Sequence, residues 1–314
     1  MRAVRFHSYG DPGVLRLEDV PLPEPAAGEL RIKAVGSSLN PADIGGRDGR
    51  VRLIHARHLP HIPGYDVAGV VDRCGAGVSA FLPGEPVFAM VGLGAGAHAE
   101  YVCVAQERVA RAPAHIPLEA AGAVPLAGLT ALQGLRQHAN LQPGQRLLVN
   151  GAAGGVGSFA VQIGKAVGCH VTGVGHGETA DVIASLGADE VLDYTREDVT
   201  RRPQVWDVVF DTAGNLDLRA LRAVLAPGAV VVSPMASPIN GLTAALGVVG
   251  PAPRYRFFIT RASGQDLALL ARLIDDGRVR PVVDRSFALD DVAAAHRYVE
   301  TARTRGKVGL RVAP

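Results

Sequence analysis

The sequence predicts an α/β domain built on a parallel sheet, joined in one chain to a β-rich domain. Two changes of texture predict this. Residues 1–121 consist of short apolar or alternating runs broken by Pro- and Gly-rich turns, such as "YGDPG" and "PLPEPAAGE". Short strands so punctuated suggest a barrel or sandwich. From "QRLLVNG" onward the order becomes strand, glycine turn, helix, strand, and this repeats, as parallel sheets with crossover helices require.

Taken in order, "AVRFH", "VLRLEDV", "ELRIKAVGSSL", "VAGVVDRCG", "EPVFAMV" and "HAEYVCV" read as the strands of the first part. The Ala- and Leu-rich run from Leu118 to Leu135 is expected to be helical, with a break at Pro125. Beyond it, "RLLVN", "HVTGV", "EVLDY", "WDVVFDT" and "AVVVSP" are strand-like, with "GSFAVQIGKAVG" and "TADVIASLGA" as helices between them. After "YRFFITRASG", two helical stretches, "QDLALLARLIDDGR" and "LDDVAAAHRYVETAR", precede a closing strand, "KVGLRV".

Composition narrows the function classes. Of 314 residues 38 are glycine, well above an average share of about 7%. They follow no short period, so they signal tight turns and close backbone approaches. The net charge is +2 and the basic residues are scattered, which gives no patch for nucleic acid. No run approaches the roughly 18 apolar residues of a membrane span, and the N-terminus has no apolar core of signal-peptide length. Cys74, Cys103 and Cys169 are far apart and form no CxxC pair, as in a reducing compartment. A cytoplasmic location is expected.

The stretch "RLLVNGAAGGVGSFAVQIGKAVG" carries the chemistry. Ala152, Gly154 and Gly157 give the spacing A-x-G-x-x-G between a strand and a helix. The helix buries one face through Val156, Phe159, Ala160, Ile163 and Val167. A helix start directs free N–H groups and its positive end at whatever lies above, which suits a pyrophosphate. Gly154 would let backbone approach the phosphates, and Gly157 would let helix pack on strand. A P-loop fails, because Ala166 follows Gly164-Lys165 and Phe159 stands where its first glycine belongs. None of the six tyrosines has a lysine four residues later, which excludes the Tyr–Lys pair of short-chain reductases.

With "LNPADIGGRDG", "PGYDVAGVV", "PLAGLTALQGL", "SLGADEVLDY", "VFDTAGN" and "GKVGLRV" in order around that loop, the chain resembles the zinc-independent branch of the medium-chain dehydrogenase/reductase family, the quinone oxidoreductases and enone reductases. The resemblance implies a GroES-like β-barrel substrate domain over 1–121, completed by 262–314, with a Rossmann dinucleotide-binding domain inserted over 122–261. It also implies a homodimer and a small electrophilic substrate.

No zinc is expected. Zinc-dependent relatives place Gly-His-Glu where this chain has Gly64-Tyr65-Asp66, and cysteine ligands near Ser37 or Ser38 and at Pro125. Only Asp66 is a donor, whereas a catalytic zinc needs three. His55, His58 and His61 are spaced like a metal triad, but Pro60 and Pro63 interrupt any helix that would bring them together. Without a Lewis acid to stabilise an alkoxide, the accessible reaction is hydride delivery to an electron-poor carbon of a quinone or an α,β-unsaturated carbonyl.

By resemblance, Asn40 lies near nicotinamide and substrate, Thr130 at the nicotinamide ribose, and Gly154, Gly155 and Val156 on the pyrophosphate. Thr212 and Ala213 follow "VFD"; Phe257, Phe258 and Ile259 fall near the carboxamide, and Lys307 closes the far side. Tyr65 either lines the pocket and donates a hydrogen bond or is packed core. Asp43 and Arg47, four apart, can pair on a helix, or Arg47 can face the cleft. Tyrosines that many quinone reductases carry after this segment are absent, which leaves an aromatic slot open to question. No acid stands at the tip of "HVTGV", so a 2′-phosphate is not repelled there. His176 offers that phosphate a hydrogen bond, with Tyr194 at the adenosine border, while Glu178 offers an acceptor to a ribose diol. NADP(H) is favoured over NAD(H). The alternatives are a nucleotide-binding structural or redox-sensing protein with little turnover, and a reductase of an unsaturated thioester.

Overall fold

The computed structural model describes residues 1–50, 58–92, 94, 96–203, 205–235, 254–301 and 304–312. It divides into two units: Met1–Leu129 with Arg261–Gly277 and Pro281–Pro314, and Thr130–Thr260 with Arg278–Arg280. The first boundary thus falls after Leu129, not after residue 121, because "PLAGL" packs with the first unit.

The first unit opens with the antiparallel pair β1 (Arg2–Arg5) and β2 (Arg16–Asp19). Its spine is β3 (Glu29–Leu39), whose buried residues include Leu30, Ile32 and Ala34. Helix α1 (Pro41–Arg47) follows, with Pro41 in the first turn, where a missing N–H costs nothing. Next come β4 (Asp66–Cys74), β5 (Pro86–Met90), β6 (Tyr101–Ala105) and β7 (Val109–Arg111). The expected long helix is two: α2 (Leu118–Ala121) and α3 (Pro125–Gln133). The expected break falls at Pro125, which begins the second helix, where its missing N–H costs nothing.

The second unit holds β8 (Arg146–Asn150), α4 (Gly155–Val167), β9 (His170–Gly175), α5 (Ala180–Ser185), β10 (Glu190–Asp193), β11 (Trp206–Asp211), α6 (Leu218–Leu221), β12 (Leu225–Ser233) and β13 (Arg254–Phe257). All six strands run parallel in the order β10-β9-β8-β11-β12-β13. The order reverses between β8 and β11, and ligands of such sheets bind beyond the strand ends at that point. Trp206, Leu148, Val209 and Leu221 anchor the core.

The chain then returns to the first unit with α7 (Gly264–Asp275), β14 (Val283–Ala288), α8 (Val292–Glu300) and β15 (Lys307–Arg311). The seven-stranded barrel sheet runs β14-β15-β3-β4-β5-β7, with β6 also paired to β3. β15 lies antiparallel to the end of β3, with Val308 opposite Leu39, and β4 lies along the other edge with Asp66 opposite Ser38. A C-terminal strand, an N-terminal strand and a central one therefore meet at one end. Phe6, Leu30, Ile32, Val67, Val87 and Leu310 fill the interior behind them. Among the described residues, no helix is long and apolar enough to cross a membrane.

Gly157 tests the α4–β8 contact. A Cβ there would press into the Gly151 carbonyl, which is backbone and cannot yield, whereas at Gly154 the nearest atom is the same oxygen at 3.3 Å. Gly157→Ala is expected to destabilise the protein by about 1–3 kcal/mol, read as a lowered Tm in thermal unfolding, while Gly154→Ala stays near wild type.

Candidate active site

The register that joins β3, β4 and β15 buries a charged cluster in the first unit. Lys307 Nζ donates to the Leu39 carbonyl at 2.9 Å and to Asn40 Oδ1 at 2.5 Å, and stands 3.6 Å from Asp66 Oδ2. Asp66 is wholly buried; its Oδ2 accepts from Ser38 Oγ at 2.6 Å and Asn40 Nδ2 at 2.8 Å. Its Oδ1 accepts from the Leu126 N–H at 2.6 Å, in the first turn of α3, where helix-end N–H groups favour a carboxylate. Burial holds the Lys307 ammonium below its usual range, against the pull of Asp66 and Asp43. The amide of Asn40 thus bridges cation and anion, with its carbonyl to the lysine and its NH₂ to the aspartate.

Asp43, the third helical residue of α1, turns back to accept from the Asn40 N–H at 2.8 Å, and its Oδ1 takes the Gly64 N–H at 2.8 Å. This is the acidic half of a capping box. It corrects the expected Asp43–Arg47 pair: Arg47 binds Glu300 of α8 through Nη2 instead. Burial raises the Asp43 carboxyl despite nearby His98. Tyr65 is 6% exposed, and burial, then the charge of Asp43, push its phenol well above the usual range. It lines a cavity together with Phe6, Asp43, Arg47, His61 and Gly64, so it is both packed and cavity-facing.

In the second unit, Gly151 has φ +78° and Gly154 caps α4 in extended conformation. The turn leaves the N–H groups of Gly155 and Val156 at the helix start. Beside it, at the switch point, Thr212 Oγ1 donates to the Asn150 carbonyl at 2.6 Å, and Ala213 packs on Gly151. Asp211 organises this loop, accepting from Asn150 Nδ2 and from the Gly214 and Leu216 N–H groups at 2.7–3.0 Å. Sequence reading named Thr212 and Ala213 but missed Asp211, although an acid closing an apolar strand was its signal. Thr130 is buried, with its hydroxyl 2.7 Å from that of Thr260. Phe257 and Ile259 are exposed on the edge strand and just beyond it. Phe258 is buried, with its ring stacked on His138 at 4.4 Å, so any cofactor contact it makes falls to its backbone.

At the tip of β9, His176 Nδ1 accepts from the Glu178 N–H at 3.2 Å, which leaves Nε2 as the proton-bearing nitrogen of the neutral ring. Tyr194 stands edge-on to that ring at 6.0 Å, and both Tyr194 and Glu178 are exposed. An acid does reach this turn, from the neighbouring strand: Asp193 pairs with Gly175 in register and accepts from the Gly177 N–H. Hydrogen bonds from Thr195 hold its carboxyl below the usual range, and Arg196 lies 3.7 Å away. Beside Glu178, which the sequence reading named, Asp193 is a second acid at this turn.

A GroES-like barrel with a Rossmann sheet and a glycine turn at its switch point is an architecture suited to a dinucleotide. Residues 26–114 match the alcohol dehydrogenase GroES-like domain, and residues 186–309 match the family described as zinc-binding dehydrogenase. The chain is 36% identical to the 2-methylene-furan-3-one reductase of Solanum lycopersicum, over 100% of this chain and 80% of that one. It is also 36% identical to the chloroplastic NADPH-dependent alkenal/one oxidoreductase of Arabidopsis thaliana, over 98% and 78%. The quinone oxidoreductase of Coxiella burnetii superposes with a TM-score of 0.90 at 29% identity, over 100% and 99%. The chain belongs to the medium-chain dehydrogenase/reductase family, in its quinone oxidoreductase branch.

One family description names zinc, which would need donors at the positions read above. Asp66, the one candidate at the ligand positions, is already held by Lys307, Asn40, Ser38 and Leu126. Among the described residues no group of three or more His, Cys, Asp or Glu could hold a metal ion. His61 exchanges backbone hydrogen bonds with Phe6, His58 is exposed, and His55 lies outside the described residues.

Removing one member of a buried ion pair strands the other. Lys307→Met is expected to cost about 3–5 kcal/mol. Adding Asp66→Asn should restore most of the loss, measured as denaturant midpoints in a double-mutant cycle.

Proposed function

We propose that this chain is an NADP(H)-preferring, metal-free reductase of quinones or α,β-unsaturated carbonyls. The observation that carries this reading is the buried Lys307–Asn40–Asp66 cluster. It commits to an internal lysine the carboxylate that a metal would need, and it fixes the Asn40 amide in one orientation. The bound nicotinamide supplies a hydride. The protein's part is then to hold the dinucleotide and orient an acceptor that is already electron-poor.

The residues suited to hold the dinucleotide are those at the switch point. Gly154 leaves room for backbone approach, and the Gly155 and Val156 N–H groups suit the pyrophosphate. Thr212, Ala213 and Thr130 are assigned to the same ligand. His176, with hydrogen on Nε2, and Arg196 beside Asp193 supply the donors that favour a 2′-phosphate. Asp193 and Glu178 work against it, so NADPH is preferred over NADH by a modest factor, not exclusively. The named activity of the Arabidopsis relative supports this order. Asn40 and Tyr65 are assigned to orienting the acceptor, and Lys307 to fixing Asn40. A second copy of the chain pairing along β13, where Phe257 and Ile259 are exposed, is the proposed dimer.

The test follows loss of nicotinamide absorbance with NADPH and NADH against quinone, enone and unsaturated-thioester panels. Turnover faster with NADPH and unaffected by chelators is expected. Asn40→Ala should lower kcat by about 10²-fold, and Gly154→Ala should weaken NADPH binding with little change in Tm. Tight nucleotide binding without oxidation by any acceptor would support a nucleotide-binding protein instead.

A further inference from the structure

Three polar side chains of the first unit have no part in the reaction as described. Arg47 is 2% exposed, and His98 and His296 are wholly buried. Among the described residues, Arg47 Nε and Nη1, His98 Nδ1 and both ring nitrogens of His296 meet no hydrogen-bond partner. The two imidazoles stand edge to face with centroids 6.4 Å apart, and burial, His98 and Arg47 together push His296 down to about 2. A buried polar atom left unpaired bears the full cost of losing its water, so such atoms in folded proteins nearly always have a partner. Five of them in one small region call for a partner.

The chemistry of the unmet atoms selects the ligand. A neutral imidazole presents one donor and one acceptor, so His296 needs a partner capable of both. Arg47 Nη2 is taken by Glu300, and Nε and Nη1 share no edge of the guanidinium, so one carboxylate cannot bridge them. An anion would also face Asp43, which lines the same cavity as Arg47 and Tyr65. Water donates and accepts, is neutral, and commonly fills polar cavities with two to four partners.

We infer that ordered internal water bridges Arg47, His98 and His296, continues into the cavity at Tyr65, and supplies the proton that completes reduction. The proton role rests on the reductase reading; the water site does not. A hydride adds to the electron-poor carbon and the electron pair moves to the acceptor oxygen. A cavity water then gives its proton to that anion and regains one from solvent by way of Glu300, which is one-third exposed. Atoms balance as acceptor, reduced nicotinamide and one proton giving product and oxidised nicotinamide.

The site is tested by a high-resolution crystal structure of the full chain. Ordered water within about 3.2 Å of Arg47 Nε or Nη1 and of a His296 nitrogen is expected, and a cavity without solvent density there overturns the site. The proton role is tested with His296→Leu and His296→Gln on an accepted enone. Leucine should lower kcat about tenfold or more with KM unchanged and enlarge the solvent deuterium isotope effect, while glutamine, which can still bind water, should stay near wild type. A wild-type isotope effect in a folded His296→Leu protein overturns the proton role. Absence of turnover with any acceptor overturns it together with the reductase reading, and the density still decides the water site.

Discussion

The buried contact between Lys307 and Asp66, with Asn40 between them, is the constraint on which the barrel end depends. It joins the last strand, the end of β3, the start of β4 and the first turn of α3. Taking two charges out of water costs several kcal/mol per ion, and the return depends on geometry and on satisfying every remaining lone pair. Here Asp66 receives three hydrogen bonds besides its cation, from a hydroxyl, an amide and a helix-end N–H. The cluster therefore specifies a geometry more than it adds stability: Asn40 can point only one way while both charges are present.

That arrangement also explains the residues around it. Asp43 caps α1 and ties it to Gly64, which sets the helix that starts at Asn40. Arg47, freed from Asp43, reaches α8 and Glu300. Asn40 is thus fixed from both sides, by charge on one and by a helix cap on the other. The second unit solves a separate problem at its switch point, where Asp211 gathers two backbone N–H groups and the Asn150 amide beside the glycine turn.

Much of this was legible in the sequence because it is local. Strand, glycine turn and helix obey fixed periods, and Gly157 reads correctly because only a missing side chain allows α4 to approach the Gly151 carbonyl. The eleven-residue β3 was readable for the same reason. What escaped depends on register between distant segments. Lys307 is 241 positions from Asp66, and only the pairing of β15 with β3 and of β3 with β4 brings them together. Asp193 was missed because the reading examined the tip of β9, whereas the acid arrives from the adjacent strand. Of the two readings open for Arg47, the pair with Asp43 is not formed, because a helix-facing pair and a helix cap look alike until the backbone N–H groups are placed.

The tethered cation also bears on the chemistry. A catalytic zinc keeps an open position for substrate oxygen and lowers the cost of an alkoxide there. The Lys307 ammonium has two of its donors on Leu39 and Asn40 and lies against Asp66, so its charge is spent inside the protein. It polarises Asn40 without offering a vacant Lewis-acid position. A site built this way gives little help to a reaction that must create negative charge on an alcohol. It suits one in which conjugation in the acceptor already spreads that charge and the protein has only to orient and hydrogen-bond it.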